Sequence, residues 1–131
     1  SEQYPRGLGK TIEEVASHIE GIPRREKLSF SCLRDEAIRN AVEESGRRTA
    51  VIIGIEAHVC VMQTALDLMD AGYRPVIVSD AVCSRRSHDR SAALDAMARL
   101  SVLVYPTETI AFMLMEKAGT PEFKALSPLF K

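Results

Sequence analysis

The stretch AVIIGIEAHVCVMQTA, residues 50–65, decides the predicted fold. It opens with the apolar run 50–53, which is typical of a parallel strand buried on both faces. Gly54 interrupts the run, and apolar residues at helical spacing resume near Cys60. Cys60 therefore lies where the carboxyl end of a strand meets the amino end of a helix. Open α/β sheets bind their ligands at this place, and unpaired N–H groups at a helix N-terminus stabilise a thiolate.

Strands and helices alternate from this stretch to the carboxyl terminus. Predicted strands cover residues 50–55, 75–79 and 101–105, and predicted helices cover residues 59–71, 89–100 and 107–118. Gly72 and Gly119 stand directly after two of these helices, where glycine commonly ends a helix. The alternation predicts βαβ units in a doubly wound, mostly parallel α/β sheet with helices on both faces.

The first 48 residues contain no predicted strand. Pro and Gly within residues 1–9 indicate a loop, and Thr11 with Glu14 forms a capping box for a short helix. A longer helix is predicted over residues 33–45. Three strands make a small sheet for such a domain. We therefore expect a single domain over residues 1–131 that is incomplete at its amino end, where the chain opens with Ser1 rather than Met.

The length and composition argue against a nucleic-acid-binding protein and a membrane-spanning protein. The 131 residues are 46% hydrophobic and 27% charged, as expected for one globular domain. A net charge of −1 and an aromatic content of 5% provide neither a basic field nor a stacking surface for nucleic acid. No apolar run is long enough to span a membrane. The three cysteines, without a CxxC pair, favour a reducing compartment, and we expect a cytoplasmic protein.

Cofactor motifs are absent from the sequence. No group of His, Cys, Asp and Glu residues has metal-ligand spacing, and neither GxGxxG nor GxxxxGK[ST] occurs. We therefore expect no metal and no other cofactor.

The residues alone leave two interpretations of Cys60 open. A free cysteine commonly behaves as a small buried hydrophobe, whereas its place at a strand-to-helix turn favours a nucleophile. Backbone N–H groups at the same turn are suited to stabilise an oxyanion. His58 is a poor candidate for the base, because residues two apart do not face each other on a helix.

Other charged residues also allow two interpretations each. Lys27, in EKLSFS, is either a solvated lysine, like most lysines, or an ammonium that stabilises the thiolate. Asp80 is expected to cap the loop 81–87. Arg85 and Arg86 are interpreted as a solvated charge run.

At this point the chain resembles a known family, the isochorismatase-like cysteine hydrolases. The resemblance is carried by GIEAHVCV (54–61), QTALDLMDAGY (63–73) and VIVSDAVCSR (76–85). The blocks SEQYPRGLG (1–9), KLSFS (27–31) and GTPEFKAL (119–126) resemble the branch of isochorismatase domain-containing proteins. Together these blocks cover essentially the whole chain.

The resemblance implies a doubly wound α/β fold with a six-stranded, mostly parallel sheet and an Asp-Lys-Cys triad. Carried over by motif, Cys60 is the nucleophile and Lys27 the triad lysine. The resemblance also implies a cis peptide bond before Glu56, with the N–H groups of Glu56 and Cys60 forming an oxyanion hole. Phe30, Ile55 and Ala57 would line the substrate pocket.

Two features of the family are missing from the sequence. The family aspartate lies in a DxQ motif, which residues 1–131 do not contain, and SEQYPRGLG lacks the Asp and His ligands of the nicotinamidase zinc site. The resemblance therefore predicts a metal-free cysteine hydrolase acting on an amide-like C–N bond of a small molecule. The alternative is a non-catalytic scaffold or interaction domain that retains the fold. The open sheet and the apolar last helix suggest a homo-oligomer.

Overall fold

The computed structural model describes residues 1–131 and contains two parallel sheets. The smaller sheet pairs β1 (Glu2–Gln3) with β2 (Glu26–Lys27). The larger sheet has the order β3-β4-β5 and consists of β3 (Thr49–Ile55), β4 (Arg74–Cys83) and β5 (Leu103–Tyr105). The predicted parallel sheet of alternating strands and helices is thus confirmed.

Seven α-helices and three short helical turns connect and cover the strands. The α-helices are α1 (Pro5–Leu8), α2 (Glu13–Ala16), α3 (Glu36–Glu44), α4 (Met62–Asp70), α5 (Ser87–Arg99), α6 (Thr107–Met115) and α7 (Pro121–Leu126). A π-helix spans Ala57–Val61, and 3₁₀-helices span Cys32–Arg34 and Ser127–Phe130. No helix combines the length and the hydropathy that a membrane-spanning segment requires.

The hydrophobic core is centred on β4. Ile77 of this strand is completely buried, and it packs in one cluster with residues of the π-helix, α4 and α5. Val76 and Val78 are also buried, and alternation along the strand directs them to the opposite face. Because α6 contacts β4 as well, helices surround the central strand in a three-layer α/β arrangement. The clustered residues are Ala57, Val61, Ala65, Ile77, Val82, Ala93, Met97 and Val102.

The prediction that residues 50–53 are buried on both faces is wrong. Ile52 packs against the core, whereas Val51, Ile53 and Ile55 are 51%, 61% and 71% exposed. The reason is that β3 is an edge strand with one uncovered face, so its burial alternates along the chain. An apolar run predicts a strand, but it does not reveal whether a second layer of helices covers it.

The prediction that the first 48 residues lack a strand is also wrong. β1 and α1 lie within residues 1–9, and the N–H groups of Glu2 and Tyr4 donate to the carbonyls of Arg25 and Lys27. These strands are two residues long and carry polar side chains, so no hydrophobic alternation marks them. Their pairing depends on residues far apart in the sequence.

Thr11 does not cap α2, whose N-cap residue is Ile12. Its N–H and hydroxyl groups instead donate to the carboxylate of Glu2, at 2.8 and 2.7 Å. These two hydrogen bonds, the backbone one first, hold the pKa of Glu2 below its usual value. Thr11 therefore ties the following loop to β1.

The helix predicted over residues 33–45 divides into two parts. The 3₁₀-helix precedes α3, and Asp35 caps α3 by accepting a hydrogen bond from the Ile38 N–H at 3.1 Å. An aspartate at the N-cap ends one helical segment and begins the next, which the apolar spacing alone does not indicate.

Asp80 has a different role from the predicted one. It lies inside β4, which extends to Cys83, and its carboxylate accepts from the Thr107 N–H and hydroxyl, both at 2.8 Å. The hydroxyl and then the N–H lower the pKa of Asp80. Asp80 thus secures the amino end of α6 to the sheet and does not cap the loop 81–87.

A break in register between β3 and β4 shapes the carboxyl edge of the sheet. Ile52 pairs with Ile77, but Gly54 pairs with Val82, so residues of β4 bulge out between the two pairs. The guanidinium of Arg90 donates to carbonyls in the bulge, those of Ser79 and Val82. Gly54 has a φ of +112°, which side-chain-bearing residues rarely adopt.

Replacing Gly54 with alanine is expected to destabilise the protein. A Cβ atom is strained at this φ, and a strained residue of this kind costs about 1–3 kcal/mol of unfolding free energy. Urea denaturation followed by circular dichroism measures the change. Thr49→Ala, at the exposed start of the same strand, is the control and should change stability by less than about 0.5 kcal/mol. Equal stability of both variants would contradict the assignment of strain to Gly54.

Candidate active site

The turn between β3 and α4 holds the candidate nucleophile. The Ile55–Glu56 peptide bond is cis, as the resemblance implies, and the π-helix follows it directly. Cys60 lies in this π-helix and is half-buried. The predicted helix start near residue 59 is therefore replaced by a wider helical turn that begins at Ala57. The thiol lies at the carboxyl end of a parallel strand, as expected for a ligand site in an open α/β sheet.

The backbone of Glu56, in the same turn as Cys60, has an unused donor. Its carbonyl accepts hydrogen bonds from the N–H groups of Val59 and Val61, at 3.1 and 3.2 Å, whereas its own N–H has no acceptor within the chain. An unpaired backbone N–H costs free energy unless water or a ligand satisfies it. The Glu56 N–H is therefore free to receive an anion or an oxyanion.

The side chain of Glu56 belongs to a surface network that fixes the turn. Its carboxylate lies 3.1 Å from the Arg85 guanidinium and 3.5 Å from His58 Nε2. His58 Nδ1 lies 2.9 Å from the Ser84 hydroxyl, and its Nε2 lies 4.0 Å from the Asp89 carboxylate. The network fastens the turn after β3 to the segment between β4 and α5. Arg85 is thus an ion-pair partner as well as part of an exposed charge run.

The same network holds both ring nitrogens of His58. Nδ1 lies beside Ser84, and Nε2 lies beside Glu56 and Asp89, so none of these contacts is to Cys60. That His58 is a poor candidate for the base stays a prediction.

Lys27 is a buried cation, and its interpretation as a solvated lysine is wrong. The side chain is only 5% exposed, and the ammonium makes three hydrogen bonds. The acceptors are Gln3 Oε1 at 2.6 Å and the carbonyls of Ser29 and Phe30 at 2.8 Å each. A lysine buried to this degree is uncommon and requires such a full set of partners.

The segment that carries Lys27 is attached to the helix that follows Cys60. The Cys32 N–H donates to the Thr64 hydroxyl at 2.9 Å. Thr64 lies four residues after Cys60, and residues at this spacing share one face of a helix. This hydrogen bond attaches the segment after Lys27 to the first turn of α4.

A second contact strengthens this attachment. Arg34 Nε and an Nη donate to the two carboxylate oxygens of Asp67 in α4, at 2.9 and 3.2 Å. Arg34 first, and the buried Ser31 next, lower the pKa of Asp67. The carboxylate is thus held ionised by the loop that it anchors.

The side chains expected to line a pocket differ in exposure. Phe30 and Ile55 are 52% and 71% exposed, whereas Ala57 is completely buried in the core cluster. Ala57 therefore presents no side-chain surface to a ligand. Two clefts of about 390 Å³ each lie at the amino ends of β3 and β4, around Thr49 and Tyr73, and neither is lined by Cys60.

Sequence reasoning missed two polar residues of the site region. The sequence predicts only a loop at Gln3 and a helix at Thr64, without a role for either side chain. Each acts on a partner more than twenty residues away, Lys27 and Cys32 respectively. No local pattern marks such contacts. The structure shows no group of three or more His, Cys, Asp and Glu side chains arranged for a metal, and the absence of a metal stays a prediction.

Comparisons with known proteins give a consistent result. Residues 9–109 match the model of the isochorismatase domain. The chain is 41% identical to the secreted isochorismatase effector Isc1 of Phytophthora sojae over 98% of its length, and 39% identical to isochorismatase domain-containing protein 1 of Salmo salar over 100% of its length. The structure described as MAR1 ribonuclease from Caenorhabditis elegans matches with a TM-score of 0.88 and 32% identity over 98% of the chain.

These relatives are longer than the chain. It covers 63% of the Phytophthora protein, 46% of the Salmo protein and 66% of the Caenorhabditis structure. Solved structures at lower identity share the fold, including an isochorismatase-like hydrolase from Alkaliphilus metalliredigens with a TM-score of 0.63 over 72% of the chain.

Replacing Asp67 with asparagine is expected to weaken the attachment of the Lys27 loop in a pH-dependent way. Because the folded-state pKa of Asp67 is lowered, its contribution to stability is present above the ordinary Asp value of about 3.9 and is lost as the pH falls through the folded value. The wild type should exceed Asp67→Asn in stability at pH 7, and the difference should vanish in acid. Arg34 is exposed, so the difference is small.

Thermal unfolding between pH 7 and pH 3 measures this effect. Asp70→Asn, an exposed neighbour in the same helix, is the matched control and should show no such pH dependence. Identical pH profiles for the two variants would show that the ion pair does not fasten the loop.

Proposed function

This chain belongs to the isochorismatase family, and we propose that it is a hydrolase that cleaves an amide-like C–N bond of a small molecule through the thiolate of Cys60. The observation that carries the proposal is the turn after β3. There a half-buried thiol follows a backbone N–H of Glu56 that has no acceptor within the chain. Nucleophilic acyl transfer needs these two groups next to each other.

In the proposed reaction the Cys60 sulfur attacks the carbonyl carbon and forms a tetrahedral intermediate. The N–H groups of Glu56 and Cys60 donate to its oxyanion. The C–N bond then breaks, the amine leaves with a proton, and a thioester to Cys60 remains. Water adds to the thioester, and the acid leaves as the thiol is regenerated. Phe30 and Ile55, both exposed, are proposed to contact the substrate.

Lys27 supplies a fixed positive charge in this proposal. A cation near a thiol favours the thiolate, and burial increases the effect because water screens it less. The resemblance assigns the proton transfers to an aspartate of a DxQ motif, which residues 1–131 do not contain. In this proposal Cys60 is the nucleophile, Lys27 is the cation, and the N–H groups of Glu56 and Cys60 are the oxyanion donors.

RNA is a second candidate substrate, because the Caenorhabditis structure is described as a ribonuclease. The composition favours the small molecule. With a net charge of −1 and 5% aromatic residues, the chain offers little to attract or stack a polynucleotide. A scaffold without catalysis is the remaining alternative, and the reactivity of Cys60 distinguishes it from a cysteine hydrolase.

Alkylation by iodoacetamide as a function of pH tests the proposed nucleophile. Cys60 is expected to react faster than Cys32 and Cys83 below pH 7, because only the thiolate form of a cysteine is nucleophilic. Peptide mapping by mass spectrometry measures the rate at each cysteine.

Cys32 and Cys83 are the internal controls of this experiment. Cys83 is exposed and Cys60 is half-buried, so accessibility alone would make Cys83 the faster of the two. Preferential labelling of Cys60 below pH 7 therefore reports thiolate character. Equal pH profiles for the three thiols would reject the nucleophile and favour the scaffold.

Because all three cysteines are free thiols, we also propose that the protein resides in a reducing compartment, the cytoplasm.

We also propose that the protein forms a homo-oligomer through the carboxyl-terminal helices. Phe112 of α6 packs against Phe123 and Phe130, with ring centroids 6.1 and 5.9 Å apart. Met113 and Leu114 of the same helix remain 61% and 77% exposed. Adjacent exposed apolar side chains of this kind are typical of association surfaces.

Sedimentation equilibrium of Leu114→Glu tests this assembly. The variant is expected to shift the wild-type oligomer toward the monomer, since a carboxylate is costly to bury in an apolar contact. Leu8→Glu, equally exposed in α1, is the control and should leave the mass unchanged. A monomeric wild type, or an unchanged mass for Leu114→Glu, would contradict the proposed surface.

A further inference from the structure

The imidazole of His58 lies between two carboxylates that come from different elements. Its Nε2 is 3.5 Å from the carboxylate of Glu56, in the turn after β3, and 4.0 Å from the carboxylate of Asp89, in the first turn of α5. The side chains of His58, Glu56 and Asp89 are 26%, 21% and 31% exposed, so water and salt screen these charges only in part. A positive charge on the imidazole therefore attracts both carboxylates.

Among the charges that meet at this ring, the charge of the imidazole itself is the variable one. The hydroxyl of Ser84, 2.9 Å from Nδ1, can donate or accept, so this contact is compatible with both charge states of the ring. The guanidinium of Arg85, 3.1 Å from the Glu56 carboxylate, stays positive throughout. Histidine is the side chain that ordinarily changes its charge between pH 5 and pH 8. Loss of that proton leaves the pair of Arg85 and Glu56 in place and removes the attraction that includes Asp89.

The residues held in this way belong to the turn that carries the candidate nucleophile. His58 and Cys60 lie in the same five-residue π-helix, and Glu56 is its N-cap residue, whose carbonyl accepts two N–H groups of that helix. The π-helix and α5 also share the hydrophobic core. A change of charge at His58 therefore adjusts the turn and does not release it from the fold.

We propose that His58 is a positioning residue whose protonation fixes the turn in which the oxyanion donors lie. The inference rests on the proposed function, in which the N–H groups of Glu56 and Cys60 receive the oxyanion, and it adds a control by pH. The imidazolium holds Glu56 toward α5, and the neutral ring holds it less firmly. Stabilisation of an oxyanion at the turn is therefore stronger below the pH at which His58 loses its proton. His58 transfers no proton in this scheme.

Two reagents separate this effect from the ionisation of the thiol. Iodoacetamide alkylates the thiolate by displacing iodide, and no oxyanion forms. With p-nitrophenyl acetate, the sulfur adds to the carbonyl carbon and gives a tetrahedral oxyanion, and the carbon–oxygen bond then breaks as p-nitrophenolate leaves with the bonding pair. Both reactions consume the same thiolate, so the ratio of the acylation rate to the alkylation rate at Cys60 reports how well the turn stabilises the oxyanion.

Peptide mapping by mass spectrometry measures this ratio between pH 5 and pH 8.5 in the wild type and three variants. His58→Gln keeps a polar side chain that carries no charge, and Asp89→Asn removes one carboxylate with little change of shape. His88→Gln alters an exposed histidine of α5 that makes none of these contacts, and it is the matched control. NMR titration of the imidazole nitrogens gives the pH at which His58 loses its proton, and circular dichroism verifies that each variant is folded.

In the wild type, the ratio at Cys60 is expected to fall about two- to fivefold as the pH rises, the size expected for partly exposed ion pairs. The midpoint of this fall should coincide with the titration of His58. His58→Gln should show the low ratio at every pH, Asp89→Asn a smaller fall, and His88→Gln the wild-type curve. The ratio at the exposed Cys83 should not change with pH.

A merely structural role of His58 makes a different prediction. His58→Gln would then lower the stability or the ratio by one factor at all pH values, and the fall with pH would persist. A persistent fall in this variant, or a wild-type ratio that does not follow the titration of His58, overturns the inference, whereas selective alkylation of Cys60 still supports the proposed nucleophile. Equal alkylation profiles for the three cysteines reject the proposed function and the inference together. If His58→Gln does not fold, Asp89→Asn decides by the size of its fall.

Discussion

The parallel pairing of β3 with β4 is the constraint on which the candidate site depends. Its register is regular up to Ile52 and shifts before Gly54. Beyond this point the residues of β3 pair with residues of β4 that lie further along the chain. Gly54 accommodates this break with a positive φ, and the chain then turns through the cis Ile55–Glu56 bond into the π-helix. The location of Cys60 follows from this path, since the core buries Ala57 and Val61 on either side of it.

Polar contacts between distant segments, rather than the apolar core, complete the site. The segment after β2 is bonded to α4 through Thr64 and Asp67. Buried polar groups of this kind are costly unless each is paired, and no buried side-chain nitrogen or oxygen lacks a partner. Such a complete set of bonds specifies one arrangement of the loop.

The charges of Glu56 and Lys27 are stabilised in different ways. Glu56 is an ion-pair partner of Arg85 and fixes the turn at the surface. Lys27, by contrast, is buried, and its ammonium donates to three neutral oxygens. A partly exposed ion pair is stabilised by the attraction of its charges, whereas a buried ammonium depends on a full set of hydrogen bonds.

The sequence by itself determined the parallel α/β sheet, the turn at Cys60 and the family resemblance, because alternating strands and helices and a continuous motif are local patterns. Only the tertiary structure decided that one face of β3 is open, that Asp80 secures α6, and that Gln3 holds a buried Lys27. Each of these features depends on a contact with a segment that is distant in the sequence. The secondary-structure propensity of one segment does not indicate which other segments pack against it. At the turn itself, the sequence located the thiol, whereas the free N–H of Glu56 became visible only once the hydrogen bonds of the whole chain were known.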